Sequence, residues 1–280
     1  MIFKFRLLLI LTSFLLIFSC AEKPKEITEI VEVDIELQMS NAYREGYLEL
    51  ERGDVLLAAK KFNEAELLYP QSPWAAKSAI MAAYAYYTQG YYSDAIYELE
   101  RYITTYPNHE EKPYAHYLLG MCFYETIVDE KKDLGSILDS KAQFELLIKE
   151  YPSTEFGQDA KFKIGLINEI LAGKEMYIAR YYLERSKWIP DLNRFKKVVS
   201  EYNTTIYAEE ALHRLVEINF RLGLIEESKK YAATLGYNYQ SSDWYKNSYK
   251  VFNKNYKDGV KELKKDQKKG LIKKFKGLFE

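Results

Sequence analysis

Apolar side chains recur three or four residues apart in successive stretches of this chain, with charged residues between them. Such spacing is typical of amphipathic α-helices, and the alternation expected of β-strands is absent. Three Tyr-Pro pairs, at Tyr69-Pro70, Tyr106-Pro107 and Tyr151-Pro152, close successive stretches. Because proline cannot continue a helix and restricts the residue before it, each pair predicts the end of one structural unit.

The stops share a register with small and aromatic residues upstream of them. Counting back from Pro70 over a unit of about 34 residues places Gly46 and Ala58 where a tetratricopeptide (TPR) repeat requires small side chains. Gly53 falls at the turn between the two helices, and Phe62 falls where an aromatic ring fills the space between repeats. The pattern therefore predicts repeated helical pairs.

The turn position recurs at intervals of 37 residues within two series. The first series is Gly53, Gly90 and Ile127, and the second is Ser186 and Gly223. An insertion around residues 129–138 and a helical stretch over residues 154–172 separate the series. We therefore predict an all-α fold, an α-solenoid of about five TPR-like helix pairs with an extra helix before the fourth pair. An irregular helical bundle with accidental spacing is the weaker alternative.

The N-terminus has the layout of an export signal. Basic residues precede an apolar run over residues 7–18, and Ser19-Cys20 follows. The run is too short to span a bilayer comfortably, so we predict a signal peptide over residues 1–19. An ordinary signal peptide with a nearby cysteine is the alternative to a lipoprotein signal.

The residues before Cys20 resemble the lipobox of bacterial lipoproteins, in which the cysteine is acylated and becomes the new N-terminus. We expect Cys20 to be lipidated and residues 20–38 to form a lipidated tether. Ala21 resembles the second residue of lipoproteins that are sent to the outer membrane. The expected location is therefore the periplasmic face of the outer membrane, held by acyl chains.

Charge is uneven in a chain whose formal net charge is −1. Residues 254–280 contain ten lysines and four acidic residues, a net charge of +6. Their apolar spacing is consistent with a basic amphipathic helix that lies on an anionic membrane or docks on a partner, and a solvated, frayed helix is the equal alternative. We assign the solenoid to residues 39–240 and a lysine-rich, partly helical tail to residues 241–280. Nucleic acid is not an expected partner, because no recognition motif accompanies the lysines.

The sequence predicts no catalytic site, metal site or cofactor. His109, His116 and His213 lack the spacing of a metal-binding pair, and neither a glycine-rich phosphate loop nor a nucleophile elbow occurs. Cys122 lies in an apolar helical stretch and is expected to be a buried thiol. We therefore expect a binding protein, not an enzyme.

Two motifs carry a resemblance to a known family. One is Tyr69-Pro70-x-x-Pro73, which leads to Tyr84-Ala85-Tyr86-Tyr87. The other begins at Ala179 as Ala-Arg-Tyr-Tyr-x-Glu-Arg and continues through Trp188 to Asn193-Arg194. With the lipid-ready cysteine and the repeat, the chain resembles the BamD family over roughly residues 40–235. These are lipoproteins of the machinery that assembles β-barrels in Gram-negative outer membranes.

The resemblance implies a scaffold that binds BamA, other subunits of the assembly complex and unfolded outer-membrane barrel proteins. The family's Asn-Arg pair lies at the contact with BamA, which makes Arg194 the expected contact, with Tyr181, Tyr182 and Glu184 nearby. Repeat packing or intramolecular pairing is an equal alternative for these three residues, and an ordinary surface charge is the alternative for Arg194.

Aromatic rings in a TPR groove offer apolar anchors with polar edges. Tyr84, Tyr87 and Tyr91 are accordingly candidates for a groove that binds substrate, although some of these rings must face the core. The alternative function is that of another envelope TPR lipoprotein, which scaffolds cell-wall synthesis or division.

Overall fold

A computed structural model describes residues 34–127 and 134–252 of the 280 residues. Eleven α-helices make up these two ranges, and no strand occurs within them. The helices, α1 to α11 in chain order, are Ile35–Arg52, Val55–Leu68, Pro73–Thr88, Tyr92–Thr105, Lys112–Glu125, Gly135–Glu150, Glu155–Glu184, Trp188–Glu201, Ala208–Arg221, Ile225–Asn238 and Asp243–Val251. Cys20 and the lysines of residues 254–280 lie outside the described residues.

Each helix packs against the next along the chain, which gives five helix pairs from α1–α2 to α9–α10. The final helix, α11, packs on both α9 and α10. The first helices of the second, third and fourth pairs also contact one another directly. The predicted α-solenoid is therefore confirmed, and the first helices of these three pairs form a continuous face.

Four of the five predicted turn positions have a left-handed backbone, and Ile127 does not. Gly53, Gly90 and Gly223 have φ angles of 84°, 77° and 81°. Ser186 occupies the same turn of the fourth pair with a φ angle of 56°, and it is the one residue other than glycine with positive φ in the described ranges. Since side chains disfavour this conformation, the glycines explain why the 37-residue period is visible in the sequence.

Close approach of the two helices in a pair explains the small-residue positions. A Cβ on Gly46 would lie 2.9 Å from the Phe62 ring, and a Cβ on Gly120 would lie 2.9 Å from the Phe144 ring. Both rings are fully buried. In the first and third pairs, a glycine on the first helix thus meets a buried aromatic ring on the second helix.

The extra helix predicted over residues 154–172 is helical but is not a separate element. It forms the first half of α7, a single helix of 30 residues that continues through the first helix of the fourth pair. Thr154 caps its N-terminus by accepting a hydrogen bond from the Gly157 N–H at 3.0 Å. No proline interrupts Glu155–Glu184, and neither internal glycine after Gly157 has positive φ, so nothing ends the helix.

Three other segment boundaries in the structure differ from those predicted from the sequence. α1 begins at Ile35 with Asp34 as its N-cap, so the last residues assigned to the tether are helical. α6 begins at Gly135, which places the end of the predicted insertion inside a helix. α11 falls in the segment assigned to the tail, and Ser248 on it pairs with the imidazole of His213 on α9 at 2.8 Å.

Candidate partner-binding site

A buried carboxylate joins the two helices of the fourth pair. Glu175 on α7 has a side chain that is only 9% exposed. Its two oxygens accept hydrogen bonds from Arg194 Nη1 and Lys197 Nζ on α8, each at 2.8 Å. Burial alone would raise the pKa of Glu175, but the bonds from Lys197 and Arg194 outweigh it and lower the pKa below its usual value. Glu175 therefore remains charged and fixes both cations.

Arg194 is only partly used by this contact. Its side chain is 41% exposed, and Glu175 is its one hydrogen-bonded partner within the described residues. A guanidinium carries five N–H donors in a planar fork. The remaining donors can therefore bind a carboxylate of a partner, and the ion pair with Glu175 holds the fork in place.

The residues predicted to lie near Arg194 divide between two faces of α7. Each residue advances about 100° around a helix, so Tyr182, two turns after Glu175, lies on the face towards α8. Tyr181 and Glu184 lie on the other side, and both are exposed. The Tyr181 ring is covered by the guanidinium carbon of Arg185 at 3.6 Å from the ring centroid. Tyr182 thus lies towards α8, and the Tyr181 ring contacts it edge to face, with ring centroids 5.6 Å apart.

Two of the three tyrosines predicted to line a substrate groove belong to an aromatic strip along the first helices, which consists of Tyr84, Tyr87, Tyr114 and Tyr117. Tyr84 and Tyr87 on α3 are half-buried and pack against the core of the second pair. Tyr114 on α5 lies close to both; burial raises its pKa, and Tyr84 and Tyr87 raise it further. Tyr117 continues the strip and donates a hydrogen bond to Asp159 on α7 at 2.7 Å.

The third residue of the predicted groove occupies a different position. Tyr91 lies in the turn before α4 and is 44% exposed. Sequence reasoning missed Tyr114 and Tyr117. The sequence did contain a signal for these two residues. Tyr114 and Tyr117 have the same i, i+3 spacing as Tyr84 and Tyr87, which places side chains on one helix face.

An open pocket of about 420 Å³ lies at the N-terminal end, between α1 and α3. Its apolar walls include Tyr43 and Trp74, whose ring centroids are 5.2 Å apart. Arg44 also lines it, and Lys77 Nζ lies 5.1 Å from the Trp74 ring. Asp34 and Glu36 line it as well, so the pocket combines aromatic surface with charges of both signs, and the sequence did not predict it.

The remaining titratable groups of interest are buried. Burial lowers the pKa of His116 and of His213, and it raises the pKa of the fully buried Cys122 thiol to about 12. In the described ranges, no group of three or more histidine, cysteine or acidic side chains is placed to hold a metal ion. No helix described by the structure is both long enough and apolar enough to cross a membrane.

The fold and these surfaces define a helical-repeat scaffold of the TPR-like class. A family model described as YfiO, outer membrane lipoprotein, matches residues 35–235. The chain is 36% identical to outer membrane protein assembly factor BamD of Caulobacter vibrioides over 91% of this chain and 83% of that protein. Identity to the BamD of Rickettsia prowazekii is also 36%, over 80% of this chain and 89% of that protein. The chain belongs to this family, the BamD family.

Among solved structures, a kinesin light chain from Podosopora anserina with TPR-like repeats matches 75% of this chain and 99% of its own length. The sequence identity is 12% and the TM-score is 0.38.

Proposed function

We propose that this protein acts in outer membrane protein assembly as a non-catalytic scaffold. Membership of the BamD family supports this role, since the relatives are outer membrane protein assembly factors. In this proposal Cys20 carries the acyl chains that hold the solenoid on the periplasmic face of the outer membrane. The scaffold then binds BamA, other subunits of the complex and unfolded barrel proteins.

The observation that supports the BamA contact is that the guanidinium of Arg194 uses only part of its hydrogen-bond donors within the described residues. It is 41% exposed and held at 2.8 Å by a buried carboxylate, so its direction is fixed before a partner arrives. Fixing a donor in advance reduces the entropy that binding costs. Tyr182 on the same face extends the surface with an aromatic ring. The exposed Tyr181 ring contacts Tyr182 and extends this surface, whereas Glu184 belongs to the contact only if BamA spans both sides of α7.

Unfolded barrel proteins would bind along the first helices. Tyr84 and Tyr87 provide apolar surface in the aromatic strip, and the pocket beside Trp74 extends this surface to the N-terminal end. Side chains of this kind bind extended segments without demanding one sequence. Tyr91 lies at the edge of this surface, in an exposed turn.

Reversal of one charge tests the BamA contact. Arg194→Glu should abolish co-purification of BamA from detergent-solubilised envelopes, because it places a carboxylate beside Glu175 and removes the donor. Arg52→Glu is the matched control, since Arg52 is 67% exposed and lies in the first pair. Equal recovery of BamA with both variants would remove Arg194 from the interface.

The same envelopes test the anchor. Radiolabelled palmitate should enter the wild-type chain and be absent from Cys20→Ala. Equal labelling of the two chains would exclude acylation at Cys20.

A further inference from the structure

The last helix that the structure describes is also the shortest of the eleven. α11 has nine residues, Asp243–Val251, and it packs on α9 and α10. A helix of this length is not stable alone in water, so its docking on the array decides whether it persists. Elements at the end of a structure open at the lowest cost in free energy, so a small change in this contact can shift the balance between docked and released α11.

A buried hydrogen bond attaches α11 to α9. It joins Ser248 Oγ and His213 Nδ1, which are 2.8 Å apart, and both side chains are almost completely buried. Ala211 and Leu215, two residues before and after His213, belong to the core shared with α8. The imidazole therefore lies on the other face of α9, where the Trp244 ring of α11 covers it at 5.2 Å between centroids. His213 is thus the polar centre of the contact between α9 and α11.

The rest of the contact is apolar. A Cβ on Gly236 of α10 would lie 2.8 Å from the Tyr245 ring, so α10 and α11 approach closely. After the end of α11, Phe252 meets Phe220 of α9 edge to face, with centroids 5.6 Å apart. All four charged residues of α10 are exposed, and so are the three on α11, which are Asp243, Lys246 and Lys250. Neither helix therefore buries a charge beside the imidazole.

A proton on His213 would be poorly compensated. Its Nε2 lies 3.7 Å from Glu217 Oε2, too far for a hydrogen bond, and that oxygen already accepts from Arg214 Nη1 at 2.7 Å. Glu210, the other carboxylate that acts on the imidazole, is paired with Arg180 of α7. Burial lowers the pKa of His213; Glu217 and Glu210 oppose this shift, and Arg214 adds to it. The docked arrangement thus favours the neutral imidazole.

We propose that α11 is a pH-controlled latch, docked on α9 while His213 is neutral and released when His213 takes up a proton. Release transfers the charged imidazole from a buried site to water, where it is solvated. It also bares Phe220 and Gly236, which α11 and the residue after it cover in the docked state. The latch is a property of this chain alone and does not depend on the proposed role in outer membrane protein assembly.

The direction of the pH dependence follows from linkage. The pKa of His213 is lower in the docked state than in a released helix, where histidine titrates near 6.5. The released state therefore binds more protons, so docking is favoured above about pH 6.5 and weakens as the pH falls below it towards the docked-state pKa. Between pH 7.5 and 5.5 the ratio of released to docked α11 can rise by about tenfold at most, which is the limit for a docked imidazole that stays neutral.

His116 provides a matched control within the same chain. It is also buried, pairs with Gln143 of α6 at 2.9 Å, and has a pKa that burial lowers. It lies on α5, however, which packs against α4 on one side and against α6 and α7 on the other. Because α5 is held by neighbours on both sides, a proton on His116 should not release it.

Amide hydrogen exchange of the full chain in detergent tests the latch. Protection factors, which correct for intrinsic exchange at each pH, are measured by mass spectrometry at pH 7.5 and 5.5. We expect the protection of Asp243–Val251 to fall severalfold at the lower pH, with about tenfold as the limit, while α5 keeps its protection. A fall of less than about twofold in α11, or an equal fall in α5, would overturn the proposal.

Two substitutions identify the titrating group. His213→Gln keeps an amide that can bond Ser248 but cannot titrate, so the protection of α11 should become independent of pH over this range. His116→Gln should leave the pH response of α11 unchanged. A pH response that persists in a docked His213→Gln variant would contradict the role of His213. If that variant leaves α11 unprotected at both pH values, the comparison of α11 with α5 in the wild-type chain decides.

Discussion

Among the described residues, two buried glutamates pair with an arginine of another helix, and they are satisfied to different degrees. Glu66 on α2 accepts two hydrogen bonds from Arg101 of α4, at 2.8 and 2.6 Å, and a third from the Tyr106 hydroxyl at 2.7 Å. Arg101 also donates to Glu98 at 2.9 Å. In the fourth pair, Glu175 receives single bonds from Arg194 and Lys197. Arg101 therefore donates a hydrogen bond from each of its three nitrogens, whereas Arg194 donates from one.

We infer from this difference that Arg101 is a structural clamp, whereas Arg194 is positioned to bind a partner. Arg101 is 30% exposed and joins the first pair to the second, so its donors face inside the protein. Arg194 is 41% exposed and joins two helices that already pack within one pair. Polar groups that are left partly unpaired at a binding site cost stability and are retained for function. We infer that the N-terminal cluster stabilises the array and that the fourth pair provides the contact.

The largest effect is expected at the N-terminal cluster. Arg101→Met keeps the apolar stem but leaves two carboxylates, each less than a tenth exposed, without their cation. Breaking a buried ion pair from one side is strongly destabilising, so we expect a loss of about 3 kcal/mol in the free energy of unfolding. Urea denaturation followed by circular dichroism measures it. A loss below about 1 kcal/mol, the value typical of surface pairs, would contradict the structural role.

A third carboxylate sharpens the comparison, because it has no cation in hydrogen-bonding range. Asp191 on α8 is fully buried, and its Oδ2 has no hydrogen-bond partner among the described residues. Burial raises its pKa to about 6, despite a hydrogen bond from the Leu192 N–H. Its folded-state pKa is thus above the unfolded value, so its contribution to stability is present at low pH and is lost as pH rises through about 6.

Asp191→Asn removes this charge while keeping the acceptor for Leu192. We expect the variant to be more stable than the wild type by about 1–3 kcal/mol at pH 8, since an upward shift of one pKa unit corresponds to about 1.4 kcal/mol. The advantage should vanish near pH 4. Thermal unfolding at the two pH values measures it, and an equal gain at both would show that charge is not the cause.

The sequence predicted the array better than the contacts within it. Tyr-Pro stops and glycine turns follow from backbone geometry, so single residues in the sequence are enough to predict them. The continuous α7 was not predicted because its first half has helical periodicity but fits no repeat. The partner of Arg194 could not be predicted either, because the side chain of Glu175 reaches it only when residues 19 positions apart meet across a helix pair.

The smallest loss of stability is expected at Arg194, and it provides the sharpest contrast with Arg101. Arg194→Met should cost about 1 kcal/mol or less, because Lys197 still neutralises Glu175 and the guanidinium is 41% exposed. Denaturation of this variant beside Arg101→Met measures the difference directly. Arg194→Lys separates charge from geometry, since lysine keeps the cation but lacks the planar fork. If BamA recovery falls with both variants while stability is kept, Arg194 acts through directed donors. A loss of stability as large as that of Arg101→Met would instead make Arg194 a structural clamp and remove the distinction between the two clusters.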